Sequence, residues 1–313
     1  MTIIDTAIDL QHTDHLIDRF TIYNKKTKKP RQVNNPIPEL KQALKAWNAP
    51  LTAYYVERLK AEALTDHVHA YLPNKSIKTN AAQHTQSSII QFDFSKFYDH
   101  CQFDYFYHEL LTMDPDLSKL DPRLLSRLII DPNTGGVTQG LPVSGALAGL
   151  SLIPFWLELK KALPSNVMFT QYSDDLTFSY RHQKPNNFNI PDLTRIIYQA
   201  LGRANREFLL NTTKTRQQHG AYRNVTGVSI NHNNKLTSKR KDYRFLRHVL
   251  HILSQSDNLD KELAQWQIPS KASLVGKISY MRSMDDTGKI DRLIRKHKDT
   301  CLRHNLFTTW LNA

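Results

Sequence analysis

The feature that most limits what this chain can become is a pair of adjacent carboxylates between two strand-like runs. Val167-Met168-Phe169-Thr170-Gln171-Tyr172 leads into Ser173-Asp174-Asp175, and Leu176-Thr177-Phe178-Ser179-Tyr180 leads away. β-Branched and aromatic residues in rough alternation suit a half-buried antiparallel hairpin. Two aspartates at its tip repel one another unless solvent surrounds them or a hard cation takes up their charge. The pair alone leaves both arrangements open, because aspartate is also an ordinary turn residue.

A further carboxylate lies upstream. The apolar run Ser88-Ile89-Ile90-Gln91-Phe92 runs straight into Asp93, and a carboxylate at the end of a buried strand is costly unless it is paired or ligated. One intervening layer of structure can bring Asp93 to Asp174. Carboxylates so arranged clamp two Mg2+ ions, which stabilise the attacking and leaving oxygens of an in-line phosphoryl displacement. On this reading Asp93, Asp174 and Asp175 are at once the metal ligands and the catalytic residues. Between them, Gln139-Gly140-Leu141-Pro142-Val143-Ser144 leads into a run containing Gly145, Ala146, Ala148 and Gly149. Such bare backbone admits another chain at close range, or allows tight internal helix packing.

Taken in order, the aspartate-ended strand, the QGLPVS loop and the YSDD hairpin resemble reverse transcriptases. Ser76-Ile77-Lys78-Thr79-Asn80-Ala81-Ala82-Gln83-His84 is similar to the NAxxH signature of bacterial retron reverse transcriptases, and Val225-Thr226-Gly227 to their VTG signature. The sequence Leu141-Pro142-Val143-Ser144-Gly145 departs from the retron loop, which has a small residue and then Pro, Thr, Ser and Pro. That variant also resembles the wider set of defence-associated and abortive-infection reverse transcriptases.

The resemblance implies an α+β right-hand polymerase of fingers, palm and thumb, whose antiparallel palm sheet carries the YSDD hairpin. It implies fingers with an N-terminal helix over residues 1–92, a palm over 93–237 that includes part of the fingers between its strands, and a basic helical thumb over 238–313. Phe94 would lend its backbone carbonyl to a metal. Lys29 and Arg31, on a lysine-rich hairpin between residues 20–23 and 30–33, would grip the incoming triphosphate; a guanidinium fork suits phosphate oxygens. Tyr98 would lie beneath the nucleotide sugar and exclude a 2′-hydroxyl, Gln139 would sit near the nucleotide, and Lys214 would meet the leaving pyrophosphate as acid or charge clamp. Asn80, His84, Ser144, Val225, Thr226, Gly227, Lys239, Arg240, Gly276 and Lys277 would line the template and primer.

Charge agrees with a polyanionic partner: 42 Lys and Arg stand against 29 Asp and Glu, a formal net charge of +13. Neutralising phosphates supplies most sequence-independent affinity for nucleic acid. The two cysteines, Cys101 and Cys301, form no zinc-ligand spacing. No apolar run reaches a membrane span, and the first twenty residues carry Asp5, Asp9 and Asp14 where a signal peptide would be basic and then apolar. A cytoplasmic, reduced protein with no membrane contact is expected. No RNase H, endonuclease or integrase is expected beyond the thumb, which turns the reading away from group II intron and retroviral enzymes.

Local patterning adds helices. Pro36 and Pro38 open one whose Leu40, Ala43, Leu44 and Trp47 share a face, and Thr52 to Tyr71 reads as a second. Pro154 predicts a kink in the helix after QGLPVS, and Asn231-His232-Asn233-Asn234 reads as a hairpin turn. The retron resemblance implies a structured non-coding RNA as template and primer, an RNA-linked cDNA product made from dNTPs, and a separate effector in phage defence. The alternatives are a defence reverse transcriptase that copies another RNA or adds nucleotides without a template, and an inactive RNA-binding scaffold.

Overall fold

The computed structural model describes residues 2–23, 28, 30–85, 88–181 and 183–311, with the backbone alone at residues 31, 309 and 310. The chain forms two compact units, Met1–Ser76 with Ile90–Gln217, and Ile77–Ile89 with Gln218–Ala313.

In the first unit, Thr2 and Asp5 form a reciprocal capping box that starts the helix Ile3–Asp9. β1 (Ile17–Tyr23) and β2 (Pro30–Pro36) pair antiparallel with Phe20 opposite Val33, the expected lysine-rich hairpin. The helix Pro38–Ala61 then runs unbroken through Pro50, where two helices were expected. An internal proline costs about 3 kcal/mol, but the face from Leu40 and Leu44 through Trp47, Leu51, Tyr55 and Leu59 is buried, and each such side chain returns about 1.5–3 kcal/mol. The stretch after Ala61 is not helical as far as Tyr71: Val68 bridges Gln171 in parallel, and the His67 ring stacks on Phe169. His67 and His69 are thereby spent on packing and backbone hydrogen bonds.

The central sheet sets β4 (Val167–Tyr172), β5 (Asp175–Tyr180), β3 (Ser88–Ser95) and β6 (Leu209–Leu210) side by side, with β7 (Arg216–His219) also pairing with β3. β3 is buried from Ser88 to Phe94, so its near-continuous apolar run reflects cover on both faces. The Phe94 ring packs among Phe97, Phe155 and Phe208. Behind the sheet the helix Ser144–Ala162 contains Pro154 without ending there, and its Trp156 Nε1 donates to Gln171 Oε1 at 2.6 Å.

The second unit joins the helix Ile77–Ala82 to a three-stranded antiparallel sheet in the order β10 (Leu236–Thr237), β9 (Val228–Ile230), β8 (Arg223–Val225). Ala81 and Ile89 share an apolar cluster with Val225, Val228, Ile230 and Leu236. β8 turns into β9 through Thr226 and Gly227 at φ 45° and 91°. Positive φ at both central residues matches the twist of a two-residue hairpin, which accounts for the glycine and leaves Thr226 strained. β9 and β10 flank the Asn231–Asn234 turn, as expected. A second core surrounds Leu246, Leu250 and Leu253 of the helix Arg240–Gln255, with Leu274 and Ile278 of the helix Lys271–Ser283 and Ile290. No helix among the described residues is long and apolar enough to cross a membrane.

Candidate active site

β3 and the β4–β5 turn are adjacent in the sheet, and backbone pairing fixes the carboxylates' places. The Phe94 amide donates to the Asp174 carbonyl at 2.8 Å, and the Asn211 amide to the Asp93 carbonyl at 2.7 Å. Tyr172 pairs with Asp175, so Ser173 and Asp174 form the turn, Ser173 at φ 57°. The expectation that Asp93 meets the YSDD pair in space therefore agrees with the strand order.

Asp93 is 5% exposed. Its Oδ1 accepts from Lys214 Nζ at 2.6 Å, while its Oδ2 is buried with no hydrogen-bond partner. Burial raises the Asp174 carboxyl above its ordinary value, and the nearby Asp93 charge adds to this. Asp175 is pushed up to about 6, first by burial and then by the charges of Asp174 and Asp93. The hydrogen bond to Asp93 raises Lys214 in turn. Three carboxylates that repel in a partly dry site, one with an unpartnered buried oxygen, are the hard donors that suit a divalent ion. Among the described residues no three His, Cys, Asp or Glu side chains converge as a ready-made coordination sphere, so the fit is one of donor type.

A cleft of about 710 Å³ opens over these residues, lined by Asp93, Phe94, Tyr98, Gln139, Ser144, Asp174 and Lys214 among others. Of the residues read from sequence it gathers Asp93, Phe94, Tyr98, Gln139, Ser144, Asp174 and Lys214, while Asp175 lines an adjoining cavity with Asp93 and Lys214. The Gln139 carbonyl accepts from Asn34 Nδ2 at 2.8 Å, which ties its loop to β2. Ser144 is 2% exposed and donates its hydroxyl to the Thr138 carbonyl at 2.6 Å; it braces the loop from within. Lys29 and the Arg31 side chain lie outside the described residues.

The small-residue helix is packed from inside the protein. A Cβ on Gly145 would lie 2.3 Å from Tyr71 Cγ, and one on Gly149 would lie 2.2 Å from the Tyr55 ring, so internal packing accounts for both glycines. Sequence reasoning did not find Tyr71, which lines the cleft and is reached by no motif; its signal is tertiary. It also missed Arg216, whose Nε donates to Gln91 Oε1 at 2.9 Å beside Asp175.

The remaining expected contacts belong to the second unit. Asn80, His84 and Val225 are wholly buried, and Asn80 Nδ2 donates to the Thr226 hydroxyl at 3.3 Å. The NAxxH and VTG signatures thus hold each other, with Asn80 steadying the strained turn. Lys239, Arg240, Gly276 and Lys277 are at least partly exposed, and Lys277 Nζ lies 3.7 Å over the Phe245 ring.

Residues 23–250 match the family model described as reverse transcriptase (RNA-dependent DNA polymerase). The chain belongs to the reverse transcriptase family. It is 27% identical over 276 residues to the retron Mx65 reverse transcriptase of Myxococcus xanthus, covering 82% of this chain and 60% of that protein. It is 25% identical over 207 residues to the retron Ec83 reverse transcriptase of Escherichia coli, covering 61% of this chain and 65% of that one. The chain therefore spans less than two thirds of the length of either relative. A telomerase of Candida albicans, solved with a fragment of telomeric RNA, overlays 96% of this chain on 58% of its own with a TM-score of 0.52 at 11% identity. At that identity the likeness concerns the reverse transcriptase fold alone, a mixed helical and antiparallel right hand. Reverse transcriptases generally use divalent metal ions, in keeping with the donor set around Asp93.

Proposed function

We propose that this chain is an RNA-directed DNA polymerase of the retron type, which copies a structured non-coding RNA into a short RNA-linked cDNA. The observation that carries the reading is Asp93, buried, with one oxygen held by Lys214 and the other unpartnered, beside Asp174 in a wide polar cleft, with Asp175 in the adjoining cavity that Asp93 and Lys214 also line. Asp93, Asp174, Asp175 and the Phe94 carbonyl would hold two Mg2+ ions. Bound there, Mg2+ supplies charge neutralisation and activates the primer hydroxyl. The protein's own share is positioning. The sheet fixes Asp93 against the YSDD turn, Tyr98 and Gln139 shape the nucleotide's place, and Lys214 brings a proton and a positive charge to the departing pyrophosphate.

The similarity to two retron enzymes, together with the NAxxH and VTG stretches, supports the retron assignment. The exposed Arg240, Lys241, Arg244 and Arg247 support a thumb that lies along a duplex, within the partition of fingers to residue 92, palm to 237 and thumb beyond. Cytoplasmic location and a separate effector in phage defence belong to the same proposal.

The test is to purify the protein from cells carrying its native locus, beside Asp174→Ala, and to sequence the attached nucleic acid. One abundant cDNA joined to one short RNA, absent from the variant, is expected. Untemplated DNA, or DNA joined to protein, would move the chain to another defence group. RNA alone in both samples would make it a binding scaffold.

A further inference from the structure

Tyr71 is built into the cleft wall by features that no motif explains. Its φ is 60°, a left-handed backbone that a bulky aromatic adopts only where its surroundings impose it. Its ring lies directly on the Gly145 backbone, where a Cβ would stand 2.8 Å from Tyr71 Cβ and 2.3 Å from Cγ. The residue nevertheless remains 48% exposed and lines the cleft. An apolar ring fixed at such cost and left open to solvent has not been placed for burial.

Its hydroxyl shows what the placement achieves. Tyr98 Oη donates to Tyr71 Oη at 2.7 Å, and Tyr71 Oη lies 2.9 Å from Ser173 Oγ. Tyr98 follows the metal-site strand, and Ser173 precedes Asp174 in the turn. Burial raises the Tyr98 phenol, followed by the Tyr71 hydrogen bond, so Tyr98 stays neutral and keeps the proton it donates. One hydroxyl thus joins the two halves of the site.

We infer that Tyr71 is a positioning residue for sugar selection: it holds the Tyr98 ring at one tilt against the turn that carries Asp174. The inference rests on the polymerase reading above. A ring excludes a 2′-hydroxyl only while it cannot swing aside. Elsewhere the Tyr98 ring packs against the core and meets Phe97 edge-on with centroids 5.2 Å apart, contacts to the ring that do not hold its hydroxyl, which faces Tyr71 and Ser173. The bond to Tyr71 fixes this end.

Tyr71→Phe keeps the ring on Gly145 and removes only the bridge, so the fold survives. The experiment is single-nucleotide primer extension on an RNA template by the full chain, with kcat/KM measured for a dNTP and for the matching rNTP. Wild type, Tyr71→Phe, Tyr98→Phe and the double variant are compared. Losing one hydrogen bond should lower the deoxy-over-ribo ratio roughly three- to tenfold, with the rNTP KM falling. Both single variants break the Tyr98–Tyr71 bond and Tyr71→Phe also loses the contact with Ser173, so the double variant should match Tyr71→Phe. A general structural defect would lower both kcat/KM values together and leave the ratio unchanged. An unchanged ratio in Tyr71→Phe, or additive effects in the double variant, overturns the inference while the polymerase reading stands. A wild type that extends no primer overturns both.

Discussion

Replacing Asp175 by asparagine keeps the side chain's size and removes its charge, and the stability effect follows from the site. Burial and two neighbouring carboxylates lift Asp175 from 3.8 to about 6. A shift of about two units corresponds to about 3 kcal/mol, and solvent screening of this partly exposed group reduces that to about 1–2 kcal/mol. Because the folded value is the higher one, folding takes up a proton. That contribution is fully present below about pH 4 and is lost as the pH rises through about 6, so the ionised carboxylate burdens the fold at neutral pH. In EDTA, Asp175→Asn should therefore melt about 3–6 °C above wild type at pH 8 and level with it at pH 4. Scanning calorimetry at the two pH values, followed by a repeat with Mg2+, is the assay. Added Mg2+ should stabilise the wild type more than the variant, which keeps Asp93 and Asp174 but loses one carboxylate donor, and the variant should synthesise little or no DNA. Equal melting of the two proteins at pH 8 would refute the claim that the site holds uncompensated charge.

Asp174→Ala should abolish primer extension while the circular dichroism spectrum is retained; turnover near the wild-type rate would remove Asp174 from the metal ligands. Lys214→Ala should slow extension by about 10²-fold if the lysine serves as acid, read in single-turnover kinetics with the pyrophosphate release step followed directly. Gly149→Ala should cost about 1–3 kcal/mol in urea denaturation, since the new methyl meets the wholly buried Tyr55 ring. Thr226→Gly should stabilise the second unit by about 1 kcal/mol in urea denaturation by relieving its positive φ; a lower midpoint would refute strain as the dominant effect at this turn.

Period-two alternation around Asp174 and Asp175, a buried run ending in Asp93 and an apolar face from Leu40 to Trp47 are local patterns, and each yielded its element. The helix through Pro50 was not legible, because the helix survives on burial against partners far along the chain. Nor was the end of the helix at Ala61, where Val68 and His67 are claimed by β4. Residue types could also be read: two adjacent aspartates and a third at the end of a buried strand already point to metal-assisted phosphate chemistry, whereas the place of Lys214 came only from the family resemblance. What the sequence alone determined is therefore the three aspartates that stand at strand ends and the strands that carry them, since both follow from the properties of neighbouring residues. Only the tertiary structure decided which oxygen of Asp93 meets Lys214, that Gly145 exists to seat Tyr71, that one tyrosine joins Tyr98 to Ser173, and that Asn80 holds Thr226. Each of these is a contact between residues tens to more than a hundred positions apart, and no local periodicity encodes the distance between two side chains that only the folded backbone brings together.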